Sequence, residues 1–221
     1  IEGGLIVIFI LMLMLGNWRA GLIVASVIPL SMLFAVGMMK QLGISANLMS
    51  LGAIDFGLIV DGAVIIVEAI IHRLHVKKAG QKLTQTQMND EVLAASLKIR
   101  SSAAFGEIII LMVYIPILAL VGIEGKMFKP MAQTVMLAIS GALILSLTYV
   151  PMMSALFLSK HISTKETWAD KIIAFFQSLY TPVLEKALEF KRIFVGATIA
   201  ILVISLFVFN KLGSEFIPVL E

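Results

Sequence analysis

Hydrophobic residues are collected into long runs along this chain, and polar residues mark the boundaries between the runs. A helix needs about 20 apolar residues to cross ~30 Å of hydrocarbon. Six runs approach or exceed that length, at residues 3–16, 20–39, 46–72, 102–122, 130–158 and 193–211. The pattern therefore predicts an all-α membrane protein with a bundle of six transmembrane helices.

Two segments do not fit the pattern of a spanning helix. Residues 72–102 are too polar to enter a bilayer, and we expect them to run along the surface or to form a short helix. Residues 166–190 alternate apolar and polar positions at helical spacing, which predicts an interfacial amphipathic helix. We expect this helix to lie on the cytoplasmic leaflet, roughly perpendicular to the spans, with a bend or interruption at Pro182.

Basic residues fall mostly into one set of loops. Thirteen of them lie at alternate ends of the predicted spans: Arg19, Arg73, Lys77, Lys78, Lys82, Lys98, Arg100, Lys160, Lys165, Lys171, Lys186, Lys191 and Arg192. The opposite ends carry only Lys40, Lys126, Lys129 and Lys211. Because basic loops stay inside the cell, the first set is expected in the cytoplasm. Both ends of the chain are then expected on the periplasmic side.

Composition narrows the class of protein. Of the residues, 60% are hydrophobic and only 14% are charged, with a mean hydropathy of +1.03, which a soluble domain of this size could not hide from water. The absence of cysteine excludes disulfides and thiolate metal sites. A net charge of +3 is too small to indicate nucleic acid as a partner. We also expect no cofactor.

Three acids interrupt the third run, namely Asp55, Asp61 and Glu68. Each acid at the centre of a span costs roughly 2.5 to 3.5 kcal/mol on an insertion scale, so this helix is expected inside a bundle. At 100° per residue, Asp61 and Glu68 lie within about 20° of each other, and Asp55 is displaced by about 120°. Ala53 and Gly57 share or border the face of Asp61, which suits close approach by another helix.

One membrane acid can be a simple hydrogen bond between helices, but three in one span favour a pathway for protons or ions. Asp61 is expected to lack a Lys or Arg partner within this chain and to meet its partner elsewhere. Glu107 either lines a proton exit or stays at the cytoplasmic interface near Lys98 and Arg100, and we favour the interface.

Histidine and methionine offer weaker signals. His72 and His75 are three residues apart, but they lie among basic residues where a metal cation is not expected to settle, so no metal site is assigned. The thirteen methionines could favour Cu(I), although methionine is also an ordinary gap-filler in apolar packing.

Four stretches together resemble one family of transporters. They are "GNWRAGLIVASVIPLS" from residue 16, "DFGLIVDGAVIIVE" at 55–68, "FGEIIILMVYIPILALVGIEGKMFKPMAQTV" from 105 and "LGSEFIPVLE" from 212. In this order they resemble the heavy-metal efflux branch of the resistance-nodulation-division transporters, of the cobalt-zinc-cadmium resistance type. The resemblance implies that the chain is a piece of a longer pump. Residues 1–165 would hold its transmembrane helices two to six with the cytoplasmic connector, residues 166–190 the interfacial helix, and residues 191–221 helix seven with the start of the second periplasmic segment.

The resemblance also implies a function. The full-length protein would be a homotrimeric proton antiporter of the bacterial inner membrane, not an enzyme, joined by a periplasmic adaptor and an outer-membrane channel. Its substrates would be divalent zinc, cobalt, cadmium or nickel, selected outside this chain. Asp55, Asp61 and Glu68 fall on the three acidic positions that the family uses to relay protons, although Ala69 replaces the family's usual asparagine.

Other readings remain open. Within the same superfamily the chain could belong to a multidrug exporter or a copper and silver exporter. From another class, a non-transporting membrane sensor or assembly module would need no buried carboxyl groups.

Overall fold

The computed structural model describes residues 2–44, 52, 54–78, 80–161 and 168–210, whose regular elements are helices joined by short turns and irregular segments. The helices with complete bounds in these ranges are α1 (Glu2–Met14), α2 (Trp18–Leu42), α3 (Phe56–Lys78), α4 (Gln85–Leu118), α5 (Gly122–Leu147), α6 (Tyr149–Phe157), α7 (Trp168–Glu189) and α8 (Lys191–Phe209). Lys82 and His161 form an isolated antiparallel β-bridge. The prediction of an all-α protein is confirmed.

The first six helices form a compact bundle around α3. Helix α3 packs against α2, α4 and α5, while α2 and α5 pack against each other and α1 packs on α2. Aliphatic and small side chains fill the centre, among them Val24, Val27, Ile66, Val67, Ala138 and Ala142. Because most of these side chains are small or β-branched, the helices can lie close together with few voids.

Four helices are long and apolar enough to cross a membrane: α2, α4, α5 and α8. The described part of the first predicted span, α1, has 13 residues, and α3 carries Asp61, Glu68 and Arg73. Length and composition alone therefore support four of the six predicted spans. Residues 45–51 of the third run lie outside the described residues.

The polar connector does not separate the third and fourth spans in the way that we expected. From Gln85 onward it belongs to α4, which runs without a break for 34 residues. A helix of that length is about 51 Å long, well beyond the thickness of the hydrocarbon. The start of α4 is fixed by a capping box, in which Thr84 accepts from the Gln87 amide and the Gln87 side chain accepts from the Thr84 amide.

The fifth apolar run is divided between two helices. Helix α5 begins at Gly122, earlier than predicted, and ends at Leu147, and α6 follows after Thr148. Pro151 explains the break, because it cannot donate to the Leu147 carbonyl four residues earlier and its ring would clash with that carbonyl.

Polar contacts tie the two ends of the connector to neighbouring helices. Arg73 on α3 forms an ion pair with Glu91 on α4 at 2.6 Å. The Leu83 amide donates to the Lys160 carbonyl at 2.9 Å, and the Gln85 side chain donates to the Ala155 carbonyl at 2.9 Å. These contacts fasten the start of α4 to α3 and to the segment around α6.

Helices α7 and α8 belong to a second compact unit, residues 170–221, which we describe by itself. Helix α7 continues through Pro182 without interruption, which corrects one of the two outcomes expected there. Its orientation relative to the spans stays a prediction.

Glycines mark two places where helix axes approach closely. A Cβ added to Gly21 on α2 would lie 3.0 Å from the Met12 Cα atom on α1, and one added to Gly141 on α5 would lie 2.6 Å from the Phe34 ring on α2. Gly37, also on α2, has no atom within 4 Å of the same position.

This difference predicts opposite effects for two identical substitutions on α2. Gly21→Ala should lower the free energy of unfolding by about 1–3 kcal/mol, because the α1 backbone must move away. Gly37→Ala should leave stability unchanged or raise it by up to about 1 kcal/mol, since glycine is a poor residue in a helix interior. Thermal unfolding of the chain in detergent measures both, and equal destabilisation by the two would contradict the close approach.

Candidate functional site

Helix α3 has one exposed stripe, and two of the predicted acids lie on it. Asp61, Ile65, Glu68 and His72 are exposed and follow one another at spacings of four, three and four. At 100° per residue such positions fall within about 60° of one another around the helix. The stripe therefore presents both carboxyl groups on the same side of α3, as the spacing predicted.

The side of α3 that faces the bundle is apolar. Its buried positions are Ile59, Val60, Ala63, Ile66, Val67, Ile70 and Leu74. Hydrophobic contacts therefore fix the rotation of the helix about its axis, and this rotation turns Asp61 and Glu68 away from the bundle.

The charge environment of Asp61 is acidic. Among the described residues its carboxylate forms no ion pair with a lysine or arginine, and it interacts electrostatically with the acids Asp55 and Glu107. The ion pair that α3 does form lies further along the helix, between Arg73 and Glu91.

Asp55 stands at the start of α3 and not within it, which corrects the continuous helix expected over residues 46–72. Its Oδ1 accepts a hydrogen bond from the Gly57 amide at 2.8 Å, and its carbonyl accepts from the Ile59 amide at 3.4 Å. These are the contacts of a helix-capping aspartate. Asp55 thus has a structural role that Asp61 and Glu68 lack. Ala53, expected to border the acidic face, lies outside the described residues.

Glu107 on α4 is buried, with only 2% of its surface exposed, and this corrects our expectation that it stays at the interface near Lys98 and Arg100. Its side chain fills the space beside Gly62 on α3, so that a Cβ added to Gly62 would overlap Oε1 and lie 2.8 Å from Cδ. Neither carboxyl oxygen has a hydrogen-bond partner among the described residues. Sequence reasoning therefore identified Glu107 as a candidate but missed its burial within the bundle.

Glu107 and Asp61 belong to one electrostatic group. Gly62 directly follows Asp61, and the Asp61 charge acts on Glu107. Across from both helices, the hydroxyl of Ser146 on α5 lies 3.2 Å from the position of an added Gly62 Cβ. Helices α3, α4 and α5 thus bring an exposed acid, a buried acid and a buried hydroxyl to one level of the bundle.

Within the described residues no cluster of three or more histidine, aspartate and glutamate side chains could hold a metal ion. His72 lies on the exposed stripe of α3 and His75 is also exposed. The described residues therefore offer carboxyl groups on α3 and α4 but no preformed cluster for a divalent cation.

The chain belongs to the AcrB/AcrD/AcrF family, whose model matches residues 1–221. It is 47% identical over 220 residues to the cobalt-zinc-cadmium resistance protein CzcA of Cupriavidus metallidurans, covering 99% of this chain and 20% of CzcA. It is 45% identical over 223 residues to the nickel-cobalt-cadmium resistance protein NccA of Alcaligenes xylosoxydans xylosoxydans, covering 100% of this chain and 20% of NccA. The resemblance to heavy-metal efflux pumps is confirmed.

The fold has a counterpart among solved structures. A crystal structure of a heavy metal efflux pump, crystal form II, matches with a TM-score of 0.77 at 33% identity, covering 100% of this chain and 20% of that chain. The chain thus spans about a fifth of the length of the relatives that it matches.

The cap at Asp55 predicts that amide and alanine substitutions there differ in stability. Asp55→Asn keeps an oxygen that accepts from the Gly57 amide, so the free energy of unfolding should change little. Asp55→Ala removes that acceptor and should cost about 1 kcal/mol. Thermal unfolding in detergent distinguishes them, and equal stability of the alanine and asparagine variants would show that the cap contributes nothing.

Proposed function

We propose that this chain is part of the membrane domain of a proton-driven antiporter that exports divalent heavy-metal cations, and that Asp61 and Glu68 carry protons in it. The observation that carries the proposal is the exposed stripe of α3. Two carboxyl groups occupy that stripe, and the buried positions of the same helix are apolar. Ionisable residues inside a membrane are costly, and they are typical of proton and ion pathways.

A carboxyl group on this exposed stripe can be neutral or charged, and the two forms suit different surroundings. A protonated acid is neutral and can pack against an apolar partner helix, whereas the carboxylate requires water or a cation. Proton binding therefore changes which surface the stripe of α3 can meet. This is the kind of local charge change that can bias one packing of helices over another.

Asp55 would have a lesser part in this mechanism. Its carboxylate is already engaged by the Gly57 amide at the start of α3. We propose that it tunes the charge environment of Asp61 and caps α3, and does not itself carry the proton across.

The identity of the substrate is inferred from the relatives. The names of CzcA and NccA specify cobalt, zinc, cadmium and nickel, and we propose the same class of divalent cations for the pump that contains this chain. Since the described residues offer no metal cluster, the selecting site is proposed to lie outside this chain.

The proposed architecture has six membrane crossings, formed by α1, α2, α3, α4, α5 with α6, and α8. The distribution of basic residues places the α2–α3 connection on the periplasmic side and the α3–α4 connection in the cytoplasm. Helix α7 would lie on the cytoplasmic leaflet. The full-length pump would be a homotrimer in the bacterial inner membrane, joined to a periplasmic adaptor and an outer-membrane channel.

Replacing Asp61 by asparagine tests the proton pathway. In the full-length pump, Asp61→Asn keeps the size and hydrogen bonding of the side chain but cannot release a proton, so the protein should insert normally and lose proton-driven transport. The measurement is metal flux into or out of reconstituted vesicles with an imposed pH gradient.

Two further variants are compared with Asp61→Asn in the same transport measurement. Glu124→Gln makes the same change of carboxylate to amide at the exposed start of α5 and should transport normally. Asp55→Asn should reduce transport less than Asp61→Asn. Near-normal proton-driven export by Asp61→Asn, at a normal protein level, would remove Asp61 from the pathway.

The crossing of α3 can be tested by labelling. This chain contains no cysteine, and Lys40 and Lys82 are exposed on either side of α3. In a cysteine-free pump, Lys40→Cys should react with a membrane-impermeant maleimide from the periplasmic side and Lys82→Cys only from the cytoplasmic side. Lys126→Cys should behave like Lys40→Cys, and labelling of Lys40→Cys and Lys82→Cys from the same side would refute six crossings.

A further inference from the structure

Glu107 is the buried ionisable group that the proposed pathway leaves unused. Its carboxyl group is enclosed between α3, α4 and α5 and has no hydrogen-bond partner among the described residues. An unpaired carboxylate in such a place costs several kcal/mol. The site therefore requires either a proton on Glu107 or a cation beside it.

The surrounding groups match a proton better than a cation. The acid at this level of α3 is Asp61, which lies on the exposed side of that helix and whose charge acts on Glu107, and the group beside Gly62 on α5 is the Ser146 hydroxyl. The acids and lysines of α5 lie at or before Lys129, about 25 Å along the helix from Ser146. The titratable residue of α6, Tyr149, shares a hydrogen bond with Ser26 on α2 instead.

On α4 itself, the nearest basic residue along the helix is Arg100, seven residues before Glu107. This separation corresponds to about 10 Å along the axis. Arg100 therefore does not lie at the level of the carboxyl group.

The hydroxyl of Ser146 supports the same conclusion. It lies beside the Glu107 carboxyl group and donates to the Leu143 carbonyl at 3.0 Å. While that bond is kept, the oxygen has a lone pair that could accept a hydrogen bond from protonated Glu107. The pocket therefore accommodates the protonated form of Glu107.

We propose that Glu107 is an internal proton-binding residue of the pump that exchanges a proton with Asp61 beside Gly62. In this step the O–H bond of the Asp61 carboxylic acid breaks and an O–H bond forms on the Glu107 carboxylate, with the proton carried through intervening water. Asp61 becomes a carboxylate and Glu107 a carboxylic acid, so the pair keeps a single negative charge. The proposal rests on the proposed function, because it assigns Asp61 as the partner.

Glycine at position 62 is required by this arrangement. Any side chain there would occupy the space of the Glu107 carboxyl group. Gly106, next to Glu107 on α4, has no atom within 4 Å of an added Cβ. Gly62→Ala should therefore displace Glu107, while Gly106→Ala provides a matched control that leaves it in place.

The test uses the full-length pump, reconstituted with an imposed pH gradient, with Zn²⁺ as the transported ion. Glu107→Gln keeps the shape of the side chain but cannot release a proton. We expect it to reduce proton-driven Zn²⁺ flux to near the level of protein-free vesicles, and to remove one protonated-carboxyl band from the infrared pH-difference spectrum. Glu124→Gln should alter neither measurement.

The outcomes separate this proposal from the one on which it rests. If Asp61→Asn abolishes flux but Glu107→Gln transports normally and retains every carboxyl band, Glu107 is a packing residue and the present inference is overturned. If Asp61→Asn itself transports normally, the proposed proton pathway is wrong, and the inference about Glu107, which depends on Asp61, is overturned with it.

A second variant decides the question if Glu107→Gln does not fold. Ser146→Ala removes the hydroxyl beside the Glu107 carboxyl group and should shift the pH profile of Zn²⁺ transport. An unchanged pH profile would overturn the proposal. Gly62→Ala should shift the same profile and Gly106→Ala should not, and equal profiles for these two variants would also overturn it.

Discussion

The contact between the Gly62 backbone and the Glu107 carboxyl group determines how acids are distributed around α3. Because Gly62 lacks a side chain, α4 can place a carboxyl group directly against the α3 backbone at the level of Asp61. Residues 61 and 62 are about 100° apart around the helix. One turn of α3 therefore presents an acid to the exposed side and admits another acid on the inner side.

Much of the fold could be predicted from the sequence because a membrane-spanning helix can be recognised from one continuous run of apolar residues. The apolar runs gave α2 and α8 within a few residues of their observed bounds. The continuity of α4 was missed because the polar residues of the connector indicate exposure to solvent, and a helix can continue into solvent without a break. The break at Thr148 was missed for the converse reason, since the run around it is uniformly apolar and only Pro151 signals that a backbone hydrogen bond is lost.

The placement of some residues of the candidate site could likewise be predicted from the sequence, and that of others could not. The shared stripe of Asp61 and Glu68 could be predicted, because positions within one helix follow from its period. The cap at Asp55 depends on where the helix begins, and the only sequence signal was an aspartate two residues before a glycine whose amide it binds. The burial of Glu107 depends on a neighbour on another helix, and an acid inside the run "FGEIIILM" does not specify that Gly62 will face it.

The two acids at this level differ in what can neutralise them. Asp61 lies on a face that the described bundle leaves open, so its charge depends on whatever covers that face in the intact pump. Glu107 lies on a face that packing already closes, and among the described residues its carboxyl group forms no ion pair with a lysine or arginine. A proton that moves from Asp61 to Glu107 therefore passes from a surface that can change during transport to one that is fixed by packing. Such a step would leave a charge on the exposed stripe of α3 without changing the net charge of the pair, and that charge is what a neighbouring helix surface would sense.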